Sequence, residues 1–193
     1  MIVTKLDVTF DVNDALEYYR QVEATCENIK WKMPDDFFYE TLKSLTGWSL
    51  TVPSIADPDE PFGLYKSVEI MGIENYQETK AAFGFGKALM NMFPMAYRVS
   101  LGLLPPNVYA APHTDSGEDR DAMRGWVSFI TDPGIKWITE EGVADLQPGN
   151  VYIIDISVEH EFINDSNVTG IGMVFDILRS DYDKVTKISG VIK

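Results

Sequence analysis

The chain is poor in cysteine, in histidine and in positive charge, and it has no long apolar run. One cysteine, Cys26, stands among 193 residues, so no disulfide can form within the chain. That usage fits a reducing compartment. Cys26 falls on the apolar stripe of an expected helix and reads as core. Lys and Arg number 16 against 30 Asp and Glu, for a net charge of −14. This argues against nucleic acid or an anionic membrane surface as a partner. No stretch approaches the ~20 apolar residues of a membrane span. The opening MIVTKLDVTFDVNDA has no apolar run and no small-residue cleavage pattern, so the expected location is cytoplasmic. Cysteine clusters for zinc and glycine-rich phosphate loops are both missing. What remains is an ordinary composition, 45% hydrophobic and 24% charged. The length fits one domain, 1–193, with a helical and strand part over about 1–93 and a β-rich core over about 94–180.

The two histidines both fall in one pattern. His113 and Asp115 sit two positions apart in Ala111-Pro112-His113-Thr114-Asp115, and His160 follows far down the chain. In an extended segment residues i and i+2 project to the same face. Two neutral imidazoles and one carboxylate on one face suit a borderline divalent metal with open positions, the facial arrangement of non-haem Fe(II). The competing reading is two ordinary hydrogen-bonded histidines, because His-x-Asp alone is a weak signal.

Along the chain, residues 2–10 alternate as a strand does. Asn13 is placed to cap a helix from Asp14, whose stripe is Leu16, Tyr19, Val22, Cys26 and Ile29. A second helix is expected from Pro34 or Asp35 to Leu45, ended by Gly47. Residues 51–63, TVPSIADPDEPFG, read as a loop. Asn75, with Glu78 three positions on, suggests the start of a third helix carrying Phe85, Leu89 and Met92. After Pro94 short β-rich runs alternate with turn signals: Tyr97–Leu104, Val108–Ala111, Arg124–Ile130, Ile135–Ile138, Val151–Ile156, Glu161–Ile163 and Val168–Leu178. The expected fold is mainly β with flanking helices, a jelly roll.

The run Asp155-Ile156-Ser157-Val158-Glu159-His160-Glu161-Phe162-Ile163-Asn164 resembles the distal metal-histidine segment of the aspartyl/asparaginyl β-hydroxylase family, which reads Asp-x-Ser-x-x-His-Glu-x-x-Asn. Leu104-Pro105-Pro106-Asn107 with Pro112-His113-Thr114-Asp115 is similar to that family's proximal segment. Leu146-Gln147-Pro148-Gly149-Asn150 is similar to its turn before the distal strand. The resemblance covers about residues 95–179. It implies a double-stranded β-helix (cupin-like), Fe(II), 2-oxoglutarate and O₂. It implies metal ligation and catalysis at His113, Asp115 and His160. The implied substrate is a free amino acid or a peptide or protein side chain. Asp115 supplies the carboxylate ligand, which implies hydroxylation rather than halogenation.

One position departs from the family. Ten residues after the distal histidine the family carries an Arg for the far carboxylate of 2-oxoglutarate, and here that position is Gly170. Arg179 further along is a poor substitute. The chain has five arginines. Arg20 belongs to the first helix and Arg120 to the charged loop Gly117–Asp121. Arg124 shares a strand face with Trp126 and Ser128, and Trp126 stands where the family has a His. A guanidinium matches a carboxylate with two parallel hydrogen bonds. The expected cosubstrate contacts are therefore Arg124 first, Arg98 second and Lys136 third, with Trp126 and Ser128 beside Arg124. Arg124 reads equally well as a surface ion pair. Tyr109, Tyr152, Asp155, Ser157 and Asn164 read as packing or turn supports. The expected function is an Fe(II)- and 2-oxoglutarate-dependent dioxygenase. The alternative is a metal-binding jelly roll acting as a sensor or interaction module.

Overall fold

The computed structural model describes residues 2–34, 40–63, 72–115 and 121–193. In chain order the elements are β1 (Val3–Phe10), α1 (Val12–Thr25), β2 (Lys30–Lys32), β3 (Thr46–Ser49), β4 (Thr51–Pro53), β5 (Tyr76–Glu78), α2 (Gly84–Met92), β6 (Tyr97–Leu104), β7 (Val108–His113), β8 (Ala122–Ile130), β9 (Ile135–Thr139), β10 (Gly142–Ala144), β11 (Asn150–Ile154), β12 (His160–Asn164), β13 (Gly170–Leu178), α3 (Tyr182–Val185) and β14 (Ser189–Ile192). The large sheet has the order β14-β1-β11-β8-β13-β6-β3-β2, and a smaller one has the order β10-β9-β12-β7. A hairpin-like pair, β4 with β5, stands apart. The fold is mainly β with few helices, a double-stranded β-helix.

Period-2 alternation explains how the large sheet serves two cores. On β6, Val99 and Leu101 join Met123, Val127 and Phe129 of β8 and Met173, Phe175 and Ile177 of β13. This face packs on α1 and α2 through Ala15, Tyr18, Val22, Phe85 and Leu89. The intervening residues point the other way. Trp126 of β8 and Ile154 of β11 meet Val108 and Ala110 of β7, Trp137 of β9 and Phe162 of β12 in a second core drawn from both sheets. Arg98, Ser100, Arg124, Ser128, Gly172 and Asp176 share the parity of that inner face.

Strand and turn expectations after Pro94 agree with the structure to within two residues at most ends. The N-terminal half differs more. α1 begins at Val12, and Asp11 rather than Asn13 caps it, its carboxylate accepting from the Asn13 N–H at 2.7 Å. Of the expected helix to Leu45, residues 35–39 lie outside the described residues, as do Arg120 and most of its loop. The rest is not helical. Glu40–Leu42 is a single 3₁₀ turn, and Gly47 lies inside β3 instead of ending a helix. The reason is tertiary: a Cβ at Gly47 would sit 2.2 Å from the Leu101 carbonyl oxygen, so only glycine lets β3 close on β6. Asn75 likewise caps no helix. Tyr76–Glu78 instead pairs with Thr51–Pro53, which also makes the start of the expected 51–63 loop a strand. Thr79 Oγ1 then donates to the Ser49 carbonyl at 2.7 Å, fixing the chain before α2. The buried free Cys26 lies in the helix-side core, as its stripe position indicated.

Candidate functional site

β7 and β12 are antiparallel neighbours, and their pairing sets His113 opposite His160. The two rings lie 4.4 Å apart between centroids. Asp115 follows the end of β7, and its backbone N–H donates to the Ile156 carbonyl at 3.1 Å. This ties the segment to the one that precedes β12. One ligand atom from each of His113, Asp115 and His160 lies within 4.8 Å of the others.

The imidazoles are held in the form that a metal needs. His113 Nδ1 lies 2.7 Å from the Ala111 carbonyl, and His160 Nδ1 lies 2.9 Å from the Val158 carbonyl. A carbonyl only accepts, so each Nδ1 carries the proton and each Nε2 keeps its lone pair. Such contacts orient ligating histidines and set their tautomer. Burial lowers the pKa of His160, outweighing the opposing effects of the Val158 carbonyl and Asp115, and keeps its ring neutral. Trp137 stacks on His160 at 4.8 Å with 12° between planes, which fixes the ring from its face.

The surrounding motif residues are supports. Asp155 Oδ1 accepts from the Ser157 hydroxyl at 2.7 Å, and Arg179 clamps both oxygens of Asp155 at 2.7 and 2.8 Å. Arg179 therefore pins the turn before His160. Asn164, fully buried, donates to the carbonyls of Leu104, Pro105 and Val168 and accepts from Ser166. It joins the turn after β6 to the turn after β12. The Tyr152 hydroxyl accepts from the Gln147 N–H at 3.1 Å, away from the histidines. The Tyr109 carbonyl accepts from the Thr41 hydroxyl.

The expected cations take definite places. Arg124 Nε and Nη2 donate to the two oxygens of Asp176 at 3.0 and 3.2 Å, and Nη1 lies 3.4 Å from Asp115 Oδ2. Arg98 Nη1 lies 3.1 Å from Asp176 Oδ2, with both side chains almost wholly buried. Arg98 has φ of 50°, an uncommon conformation for a long side chain. Burial alone would raise the Asp176 carboxyl, but Arg124 and Arg98 beside it hold it below the usual range. A chain of charges thus runs from Arg98 through Asp176 and Arg124 to Asp115. Lys136 pairs with Asp165 at 2.9 Å on the exposed side. The Trp126 indole donates to the Ser128 hydroxyl at 2.8 Å.

A cavity of roughly 210 Å³ opens beside His113 and His160. Arg124 and Trp126 line it; Ser128 lies in a smaller neighbouring recess. Its other walls include Trp31, Leu42, Leu45, Leu104, Trp137, Phe162 and Met173. Sequence inspection missed Asp176, Trp31 and Trp137. Asp176 was visible as the lone charge in the apolar run Gly170–Leu178. Trp137 carried the inward parity of its strand. Nothing local pointed to Trp31, which reaches the cavity from a strand not foreseen.

The donor set fits a borderline divalent metal such as Fe(II): two tautomer-locked imidazoles and one carboxylate. 2-Oxoglutarate fits at one end only. The expected partner position for its far carboxylate, Gly170, carries no side chain and does not line the cavity. Among the described residues Arg124 is the one Lys or Arg lining the cavity, and Asp176 and Asp115 already engage it.

No protein-family model matches the sequence, and no curated protein matches it. In fold the chain is similar to a prolyl-4-hydroxylase from Pseudomonas putida, with a TM-score of 0.54 and 13% identity over 92% of this chain and 93% of that one. It is similar to an oxidoreductase of the 2OG-Fe(II) oxygenase family from Burkholderia pseudomallei, at 0.57 and 10% over 92% and 85%. A third likeness is to SnoN, a non-haem α-ketoglutarate-dependent epimerase of nogalamycin biosynthesis, at 0.52 and 11% over 92% and 78%. At these identities the likeness is one of fold. No described helix is long and apolar enough to cross a membrane.

Proposed function

We propose that this chain is a non-haem Fe(II) oxygenase that holds its metal on His113, Asp115 and His160. The observation that carries the reading is the pair of Nδ1–carbonyl contacts, which leaves both Nε2 atoms as ligands beside the Asp115 carboxylate. Bound Fe(II) would supply activation of O₂ with a chelating 2-oxo acid, as in the resembled hydroxylase family. The protein's own residues set the geometry. Arg124 holds the Asp115 oxygen Oδ2, leaving Oδ1 for the metal. Trp137 and the Val158 carbonyl hold His160. The apolar walls exclude water from the reacting centre.

Within this class the aspartyl/asparaginyl β-hydroxylase resemblance favours hydroxylation of an amino acid or of a peptide or protein side chain. Gly170 favours the second reading, a metal-binding module without turnover. Anaerobic Fe(II) titration tests the metal site. The parent binds one equivalent, and His113→Ala and His160→Ala each lose it while circular dichroism stays unchanged. Parent-like iron binding in either variant removes the triad. Asp115→Ala is expected to abolish O₂ consumption by the iron-loaded protein with a 2-oxo acid. An iron-loaded parent that consumes no O₂ with any 2-oxo acid favours the module.

A further inference from the structure

Resting on that oxygenase reading, we propose that the cosubstrate is a 2-oxo acid with an apolar tail, branched aliphatic or aryl, rather than 2-oxoglutarate. The two share a chelating end, a carboxylate and an adjacent keto oxygen. They differ only in the tail attached to the keto carbon, so the surroundings of the tail discriminate between them.

The cavity next to the histidines offers a charged tail no partner among the described residues. Among the described residues its ionisable lining is His113, His160 and Arg124. The histidines are the proposed ligands. All three guanidinium nitrogens of Arg124 face carboxylate oxygens of Asp176 and Asp115. Arg98 is buried against Asp176 and does not line the cavity. Lys136 lines the adjoining recess rather than this cavity, and Asp165 engages it at 2.9 Å. A carboxylate moved there from water would lose its hydration without a compensating cation, a large penalty.

An apolar tail meets the opposite situation. Trp126, Trp137 and Phe162 form one aromatic wall, with centroids 5.3 Å apart for the two indoles and 5.5 Å for Trp126 to Phe162. Leu42, Leu45 and Leu104 extend the apolar lining. Burying a hydrocarbon or aryl tail against these surfaces is favourable in proportion to the area removed from water. The indole N–H groups of Trp31 and Trp137 are buried without a hydrogen-bond partner among the described residues. They are neutral donors, suited to a neutral acceptor on a ligand rather than to balancing a charge.

The stoichiometry closes without another reductant. The acid R–CO–COO⁻, O₂ and a substrate C–H bond give R–COO⁻, CO₂ and C–OH. The C–C bond between keto carbon and carboxylate breaks, and the acid supplies two electrons. One oxygen atom enters the new carboxylate and the other enters the substrate.

The test is calorimetric titration of the full chain, first with Mn(II) and then, metal-loaded, with 4-methyl-2-oxopentanoate, phenylpyruvate and 2-oxoglutarate. We expect an apolar acid to bind at least tenfold more tightly than 2-oxoglutarate. Trp126→His, which puts the resembled family's residue into the wall, should reduce that ratio while metal affinity is kept. Phe162→Leu gives the same readout with a smaller change of volume. An unchanged ratio in both folded variants overturns the placement of the tail. If 2-oxoglutarate binds equally well or better, the inference fails and the oxygenase reading stands. If the metal binds but none of the acids does, the inference fails and the metal-binding module is favoured. If no metal binds, the oxygenase reading fails and takes the inference with it.

Discussion

Asp176 is the residue on which most of the buried charge depends. It is 2% exposed; Arg98 Nη1 and Arg124 Nη2 share its Oδ2, and Arg124 Nε takes Oδ1. Removing one member of a buried charge group strands the others. Asp176→Asn is therefore expected to cost about 3–5 kcal/mol in a urea melt. A cost below about 1 kcal/mol would show that Arg98 and Arg124 find other partners. Asp155→Asn should cost much less, about 1 kcal/mol or below, because its partner Arg179 is well exposed to solvent. Both carboxyls are held below their ordinary pKa, Asp155 chiefly by its hydrogen bonds with Arg179 and Asp176 by its two arginines against the effect of burial. A group depressed in this way stabilises the fold above its unfolded value and loses that contribution as pH falls through the folded one. Unfolded Asp titrates near pH ~4. Stability should thus hold from neutrality to about pH 4 on account of these groups and fall below it. The fall should be shallower in both variants, read as the urea midpoint against pH. The candidate ligands were legible at this scale because their chemistry is intrinsic: two histidines in the chain, one beside a carboxylate at i+2. The partner of Arg124 was not legible, because a cross-strand neighbour 52 positions away decides it.

Elements were legible where local pattern and tertiary environment agree. β6 was foreseen at its observed limits because Tyr97–Leu104 alternates and ends at Pro105. The segment to Gly47 was misread because Pro34 suits a first helical turn and Gly47 a helix end, while that glycine serves a close strand approach. Gly86 makes the same point inside a real helix. Alanine there should help by propensity, about 1 kcal/mol. A Cβ would instead lie 2.4 Å from the Tyr18 hydroxyl, which donates to the Ala81 carbonyl, and 2.5 Å from Leu50 Cδ2. Gly86→Ala is expected to destabilise by roughly 1–3 kcal/mol, the usual cost of overpacking. A stabilised variant in thermal melts would show that α1 and α2 are free to separate. Asn164 works between elements. Asn164→Ala takes the Nδ2 donor from the Leu104 and Pro105 carbonyls, while the Val168 carbonyl keeps the Ser166 hydroxyl at 3.2 Å, and should cost roughly 2–3 kcal/mol at ~1 kcal/mol or more for each lost partner. Chemical denaturation measures it directly.

At the scale of the whole molecule, metal and fold are linked. His113 and His160 lie on two strands of the small sheet, and Asp115 is tied to the segment before β12. A metal bound to all three favours the native arrangement over the unfolded chain. Free metal at a hundred times its dissociation constant stabilises by about 2.7 kcal/mol. For a chain of this size that raises Tm by roughly 5–11 °C. Anaerobic melts with Fe(II) or Mn(II) should show this rise in the parent and lose it in His160→Ala. Equal shifts in both proteins would place the metal elsewhere.

By itself the sequence determined the parity of the strands, the turns between them and the chemistry available for a metal. Those properties are local: alternation, proline and glycine punctuation, and the donor atoms of His113, Asp115 and His160. The tertiary structure alone decided which strands meet. It set His160 opposite His113, put Arg98 and Arg124 on one Asp176, and laid Trp137 against His160. It also set Arg124 at the cavity and engaged it with Asp176 and Asp115. The physical reason is that strand pairing is chosen by burial and packing among segments far apart in the chain, and side-chain preference within one segment carries little information about its partner.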